Sequence, residues 1–144
     1  MKNQWKIYQI EKNIVDATTA VTRLLTNRVQ TVGLLQSVML NVYKVKLKSQ
    51  IIANKICTKC NLPFLKIVVD VTNNDECYGE YYYTTNIVKL YAKVCNEFMA
   101  IDDMIEVLYH ELAHHYQHYY FNNLEHNKIF KETILYLKHI YCNK

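Results

Sequence analysis

Two glycines, Gly33 and Gly79, and one proline, Pro63, are all the backbone punctuation in 144 residues. A chain with so few turn formers is ill suited to the many tight reversals of a β-sandwich, and collagen-like or linker-dominated architectures are excluded. Long helices joined by few turns are the simplest alternative. Hydrophobic residues make up 51% and charged residues 21%, enough to bury a core, and the length suits one domain, 1–144. Residues 1–13 develop no apolar leader core, and the longest uncharged run, Val29 to Tyr43, is interrupted by Gln30, Gln36 and Asn41. A cytoplasmic, unexported protein without membrane contact is expected.

Apolar positions Ile14, Val15, Val21, Leu24 and Leu25, then Leu34, Leu35, Val38, Met39, Val42, Val45, Ile52 and Ile56, fall near helical spacing. They predict two N-terminal helices, over 13–26 and about 30–57. Strict alternation from Tyr43 to Lys48 offers a local strand as a competitor. After Pro63 the β-branched run Leu65 to Val71 predicts a strand closed by the turn-rich Thr72-Asn73-Asn74-Asp75, and Tyr81 to Thr85 with Ile87 to Val94 predict one or two more. From Asp103 the period returns to 3.6, with Asp103 and Glu106 as a capping box. Ile105, Leu108, Leu112, Tyr116 and Tyr119 trace a stripe that ends at Asn122-Asn123. A final helix, about 125–141, carries Phe130, Ile134, Leu137 and Tyr141 on one face. The fold class is therefore α+β: a helical, basic part over about 1–60, then a core over about 65–142 with a small mixed or antiparallel sheet, a central helix and a C-terminal helix.

Within the central helix lies His110-Glu111-Leu112-Ala113-His114, an H-E-x-x-H motif. Four residues are about 400° of rotation and roughly 6 Å of rise, so both imidazoles project from one face and can reach one Zn²⁺. Glu111, turned about 100° from His110, can stand beside the metal without ligating it. It would accept a proton from a water that zinc acidifies and pass it to a leaving amine. The chemistry expected of such a trio is hydrolysis of a peptide bond.

A catalytic zinc needs a third protein ligand and an open fourth position. The candidates are His115, His118, Glu125, His126 and Glu132. His115 points about 100° away from His114, and His118 stands roughly 12 Å along the axis from His110. The ligand must then come from the last helix, folded back across Asn122-Asn123. His126, taken to open that helix with Phe130 one turn later on the same face, is the choice. Glu125 and Glu132 remain the competitors.

From about Leu65 to Leu137, roughly half the chain, the sequence resembles the zincin metallopeptidases and, more narrowly, the SprT-like (Spartan/WLM-type) proteases. The resemblance is carried by Gly79-Glu80-Tyr81, by Asn86-Ile87-Val88-Lys89-Leu90, by the segment Ile105 to His115 around the motif, and by His126-Asn127-Lys128-Ile129-Phe130. Asn127 stands where the family has a glycine after its third ligand. The resemblance implies a zincin-like fold and a zinc endopeptidase with ligands His110, His114 and His126 and general base Glu111. It also implies an edge strand near Ile87 to Ala92 that would hold a protein or peptide substrate extended. The family includes proteases acting on proteins bound or crosslinked to DNA; the separate zinc-binding DNA module of some members is absent.

Charge is compatible with such a partner. Residues 1–69 hold eleven Lys and Arg against Glu11 and Asp16, a balance of +9, and residues 70–144 carry −5. A basic half can face a polyanion. Two other readings stay open: a gluzincin-like regulatory peptidase of the ImmA/IrrE type, with Glu125 or Glu132 as third ligand, and a nucleic-acid-binding or regulatory protein with a structural zinc and little turnover. The five cysteines lack the dense, even pattern of a disulfide-stapled domain and read as mostly reduced and buried. Cys57-Thr58-Lys59-Cys60 lacks the second pair of a structural zinc site, so core packing is its expected use.

Overall fold

In the computed structural model, which describes residues 2–143, the elements run α1 (Lys2–Lys59), β1 (Lys66–Asn74), β2 (Gly79–Tyr82), β3 (Ile87–Val94), β4 (Glu97–Phe98), α2 (Ile101–Phe121) and α3 (Lys128–Cys142). The architecture is α+β, as the hydropathy pattern predicts. The chain divides into two compact units, Met1–Leu40 and Asn41–Lys144.

The first unit is helix throughout its described residues. The two helices expected over 13–26 and 30–57 are one, because nothing between them breaks a helix: the intervening residues include no proline, and Gly33 only weakens one. The alternating stretch Tyr43–Lys48 is helical too, since Val45 and Ser49, four apart, turn inward to the core.

The second unit is built on a four-stranded mixed sheet in the order β1-β3-β2, with β4 also paired to β3. β1 lies parallel to β3 with Ile67 opposite Val88, and β2 lies antiparallel to it with Tyr81 opposite Val88. β3 is therefore the central strand. The expectation of an edge at Ile87 to Ala92 is corrected: the edges are β1 and β2, and β3 is buried because it is paired on both sides. β1 also outruns the turn expected at Thr72, continuing to Asn74 through a register shift between Asp70 and Asn73.

The core joins Ile52 and Ile56 of α1, Ile67, Val88 and Leu90 of the sheet, Leu108 and Leu112 of α2, and Phe130 and Leu137 of α3. Gln50 ties α1 to the sheet: its Nε2 donates to the Leu65 carbonyl at 2.8 Å and its Oε1 accepts from the Ile67 amide at 2.9 Å. Cys57 and Cys60 sit in this core as free thiols, and burial pushes Cys57 up to about 11. Cys95 and Cys142 are exposed and Cys77 is half-buried, so burial of most cysteines is corrected to burial of two.

Scarce glycine leaves a mark on the turns. Neither glycine has positive φ; the left-handed positions fall on Asn61, Asn86, Cys95, Asn96 and Asn122. Asparagine tolerates this region better than other side chains do. Asn61 and Asn122 end α1 and α2, and Cys95-Asn96, both left-handed, make the two-residue reversal between β3 and β4.

Candidate metal centre

α2 begins at Ile101 with Ala100 as N-cap and no side-chain cap, so the capping box expected at Asp103 and Glu106 does not form; Asp102 and Asp103 lie in the first turn, where acidic groups suit the helix dipole. Ile105, Leu108 and Leu112 are buried, as the stripe requires, and Tyr119 at its far end is exposed. Fewer than two turns of that helix carry His110, Glu111, His114 and His115.

At Asn122 the helix stops: the N–H of this left-handed residue donates to the His118 carbonyl at 3.1 Å and that of Asn123 to the Gln117 carbonyl at 3.5 Å. Gln117, buried on α2, donates to the Glu125 carbonyl at 3.3 Å and so holds the connecting loop. α3 starts at Lys128, with Asn127 as N-cap accepting from the Phe130 amide at 3.0 Å. His126 thus precedes the helix it was expected to open. Asn127, in place of the family's glycine, has negative φ and a capping task, so this chain has no need of a glycine there.

The loop brings His126 to the motif. Its Nε2 lies 2.9 Å from His114 Nε2 and 3.0 Å from His110 Nε2, and the three imidazoles form a group whose ligand atoms lie within 4.8 Å of one another. Phe130, 3% exposed, contacts all three rings at centroid distances of 4.6 to 4.8 Å. It is the apolar wall expected of it.

Glu125 and Glu132 stand outside this group; both are exposed, and Glu132 pairs with Lys128. His115 turns the other way, where its Nδ1 meets the Tyr81 hydroxyl and its Nε2 the Pro63 carbonyl, each at 2.8 Å. It straps β2 and the Pro63 loop to α2. His118 stacks near Tyr83 on that same side.

The donor chemistry fits zinc. Three neutral nitrogens at about 2.0–2.1 Å from a tetrahedral ion would stand roughly 3.3 Å apart, so His126 need draw back from each of its two partners by only a few tenths of an ångström. Burial, then the neighbouring His110 and His126, pushes His114 down to about 4; burial, then His126, lowers His110. Both are therefore neutral imidazoles near pH 7, the form that binds metal.

Glu111, 6% exposed, is pushed up to about 7 by burial and, second, by the Glu80 carboxylate. Gly79 of β2 passes so close that a Cβ there would lie 3.4 Å from Glu111 Oε1 and 2.7 Å from Val107 Cγ1. A cleft of about 420 Å³ runs along this contact, lined by Cys77, Gly79, Val107, His110 and Glu111 among others. Cys77, whose Sγ lies 3.5 Å from Glu80 Oε1, is a cleft residue that periodicity could not reveal; the signal for Gly79 is its being the lone glycine of a strand. The Glu80 carboxylate also takes the Tyr82 hydroxyl, which chiefly keeps it below its ordinary range.

No helix among the described residues is long and apolar enough to cross a membrane. Among curated proteins and among solved structures, nothing matches the chain significantly. The family model for the SprT-like family matches residues 44–142, which span the sheet, α2, the His126 loop and α3. With more than two thirds of its length under that match, the chain belongs to the SprT-like family.

Proposed function

We propose that this chain is a zinc-dependent endopeptidase with His110, His114 and His126 as ligands and Glu111 as general base. The observation that carries the reading is the convergence of the three Nε2 atoms beside a buried carboxylate that opens on a cleft. Zinc held there would polarise a peptide carbonyl and bring a water's pKa toward neutrality. Glu111, titrating near 7, is matched to taking up and releasing a proton at neutral pH. The edge strand β2, with Gly79 under Glu111, can take an extended peptide as one more strand, main chain to main chain.

Glu111→Gln should retain zinc and lose about 10²- to 10⁴-fold in turnover on an unfolded protein substrate, the range for loss of a positioned proton acceptor. Parental rates in that variant would remove Glu111 from the chemistry. A wild-type protein that holds zinc without any turnover would instead favour a structural metal.

Proteins associated with DNA are the proposed substrate class. Lys44, Lys46 and Lys48 are exposed on α1, in the basic part of the sequence. Phosphate contacts weaken steeply as salt rises. DNA binding should follow that slope and fall when these three lysines are reversed to Glu; binding indifferent to both would take DNA out of the account.

A further inference from the structure

Residues 7–38 repeat every seven. Ile7, Ile14, Val21 and Leu35 form one row, with Arg28 at the remaining position, and Ile10, Ala17, Leu24 and Val38 form a second row three residues on, with Thr31 at its remaining position. All lie in α1. Ile7, Ile10, Ile14, Val21, Leu24 and Leu35 are 54 to 65% exposed. Such a repeat is the a and d seam of a left-handed coiled coil; it spans residues 7–38 and is interrupted once, at Arg28 and Thr31.

This helix needs a partner. Val15, Thr18, Thr19, Val21 and Thr22 are β-branched and Gly33 sits mid-helix, so intrinsic propensity is poor and stability must come from packing. Yet within residues 4–40 every described side chain is exposed except Gln9 and Val38, which are half-buried. Of these weak helix formers Val21 alone lies on the seam, where a β-branched side chain suits an a position. Gly33 falls at the outermost position of its heptad, and the hydroxyls of Thr18, Thr19, Thr22 and Thr26 bond back to the carbonyl four residues earlier at 2.9 to 3.0 Å, keeping polarity away from the apolar rows.

We propose that residues 7–38 form a parallel, in-register two-stranded coiled coil with a second copy of this chain. Lys6 falls at g and Glu11 at the following e, so a parallel pair brings Lys6 of each copy to Glu11 of the other, while β-branched residues at three a positions favour two strands. Area agrees. Fully burying an aliphatic side chain removes roughly 60–120 Å², so the seven large aliphatic seam residues of two copies give roughly 800–1,700 Å² before the flanking Leu25, Val32, Leu34 and Met39 are added. Stable interfaces bury about 1,200–2,000 Å². Arg28 at a fixes register, its stem lying along the seam and its head reaching water.

Sedimentation equilibrium of the full chain should give the mass of two 17.2 kDa chains at micromolar concentration. Val21→Glu with Leu24→Glu should give one chain with zinc content unchanged. Lys6→Glu should weaken the dimer roughly two- to tenfold, the size of two exposed ion pairs, and Lys6→Glu with Glu11→Lys should restore it. A mass of one or three chains for the parent, or a charge swap that fails to restore, overturns the proposal. A monomer that sediments with phosphatidylserine vesicles would give the seam to lipid instead.

Discussion

α1 before residue 41 and α2 each carry a row of aliphatic side chains at helical spacing, and the rows are used differently. In α2, Leu108 and Leu112 have no exposure at all, because the sheet and α3 both contribute to the same core. In α1, Leu24 is 65% and Leu35 57% exposed. A helix covered by its own chain can hold three rings and a carboxylate against one another; a helix without such cover offers only a surface. Chemistry belongs with the first kind and association with the second. Polar substitution in the α1 rows should change mass and spare the metal, and substitution at His110, His114 or His126 should do the reverse.

The largest expected effect is at His126. His126→Ala should lose the bound zinc and all turnover together, read by metal analysis of the purified protein, because three ligands are the least that hold a catalytic zinc. Glu125→Ala and Glu132→Ala should keep one zinc per chain. Metal retained in the His126 variant and lost in the Glu132 variant would move the site to a carboxylate ligand.

A smaller effect concerns what burying Glu111 costs. In the folded chain its carboxyl is pushed up from 4.5 to about 7. Below pH 4.5 folded and unfolded chains both hold the proton. As pH rises from 4.5 to 7 the unfolded chain ionises first and stability falls, by on the order of 3 kcal/mol when complete. His114, pushed down from 6.5 to about 4, acts oppositely: its contribution is intact above pH 6.5 and declines as pH falls toward 4. With chelator present, Glu111→Gln should therefore raise the denaturation midpoint at pH 8 and leave it unchanged near pH 4. Equal midpoints at pH 8 would mean the carboxylate is not held at a cost.

Much of this was legible in the residues. H-E-x-x-H places two imidazoles on one helix face and a carboxylate beside them through helix geometry alone, and Phe130 marks the side on which His126 meets them. Angle and rise exclude His115 and His118, and the face shared with Phe130 favours His126 over Glu125 and Glu132; the structure turns His115 and His118 to the opposite side. Strand order was not legible. Ile87 to Val94 alternates like an edge strand with one buried face, and only its pairing with both β1 and β2 makes it central. The missing break in α1 was equally hidden, because what distinguishes one long helix from two is the absence of a stop signal. The cap of α2 lies three residues before Asp103, which suits a cap chemically, because the backbone is already helical at Ile101.

The two glycines put the comparison on equal terms, one in each unit. At Gly79 a Cβ would meet Val107 Cγ1 at 2.7 Å and the Lys89 carbonyl at 3.1 Å. Valine is stiff at χ1 and a backbone carbonyl in a paired strand cannot swing away, so β2 must back off from α2. Overpacking of this kind typically costs about 1–3 kcal/mol. Because Glu111 borders the same contact, Gly79→Ala should lower the melting temperature and kcat/KM together while zinc content stays at one per chain. At Gly33 nothing lies within 4 Å of the added methyl, and alanine is the better helix former by about 0.5–1 kcal/mol. Gly33→Ala should therefore stabilise α1 slightly, tighten self-association and leave turnover alone. Should Gly79→Ala melt and turn over like the parent, β2 does not position Glu111, and the close approach would be packing without consequence for the site.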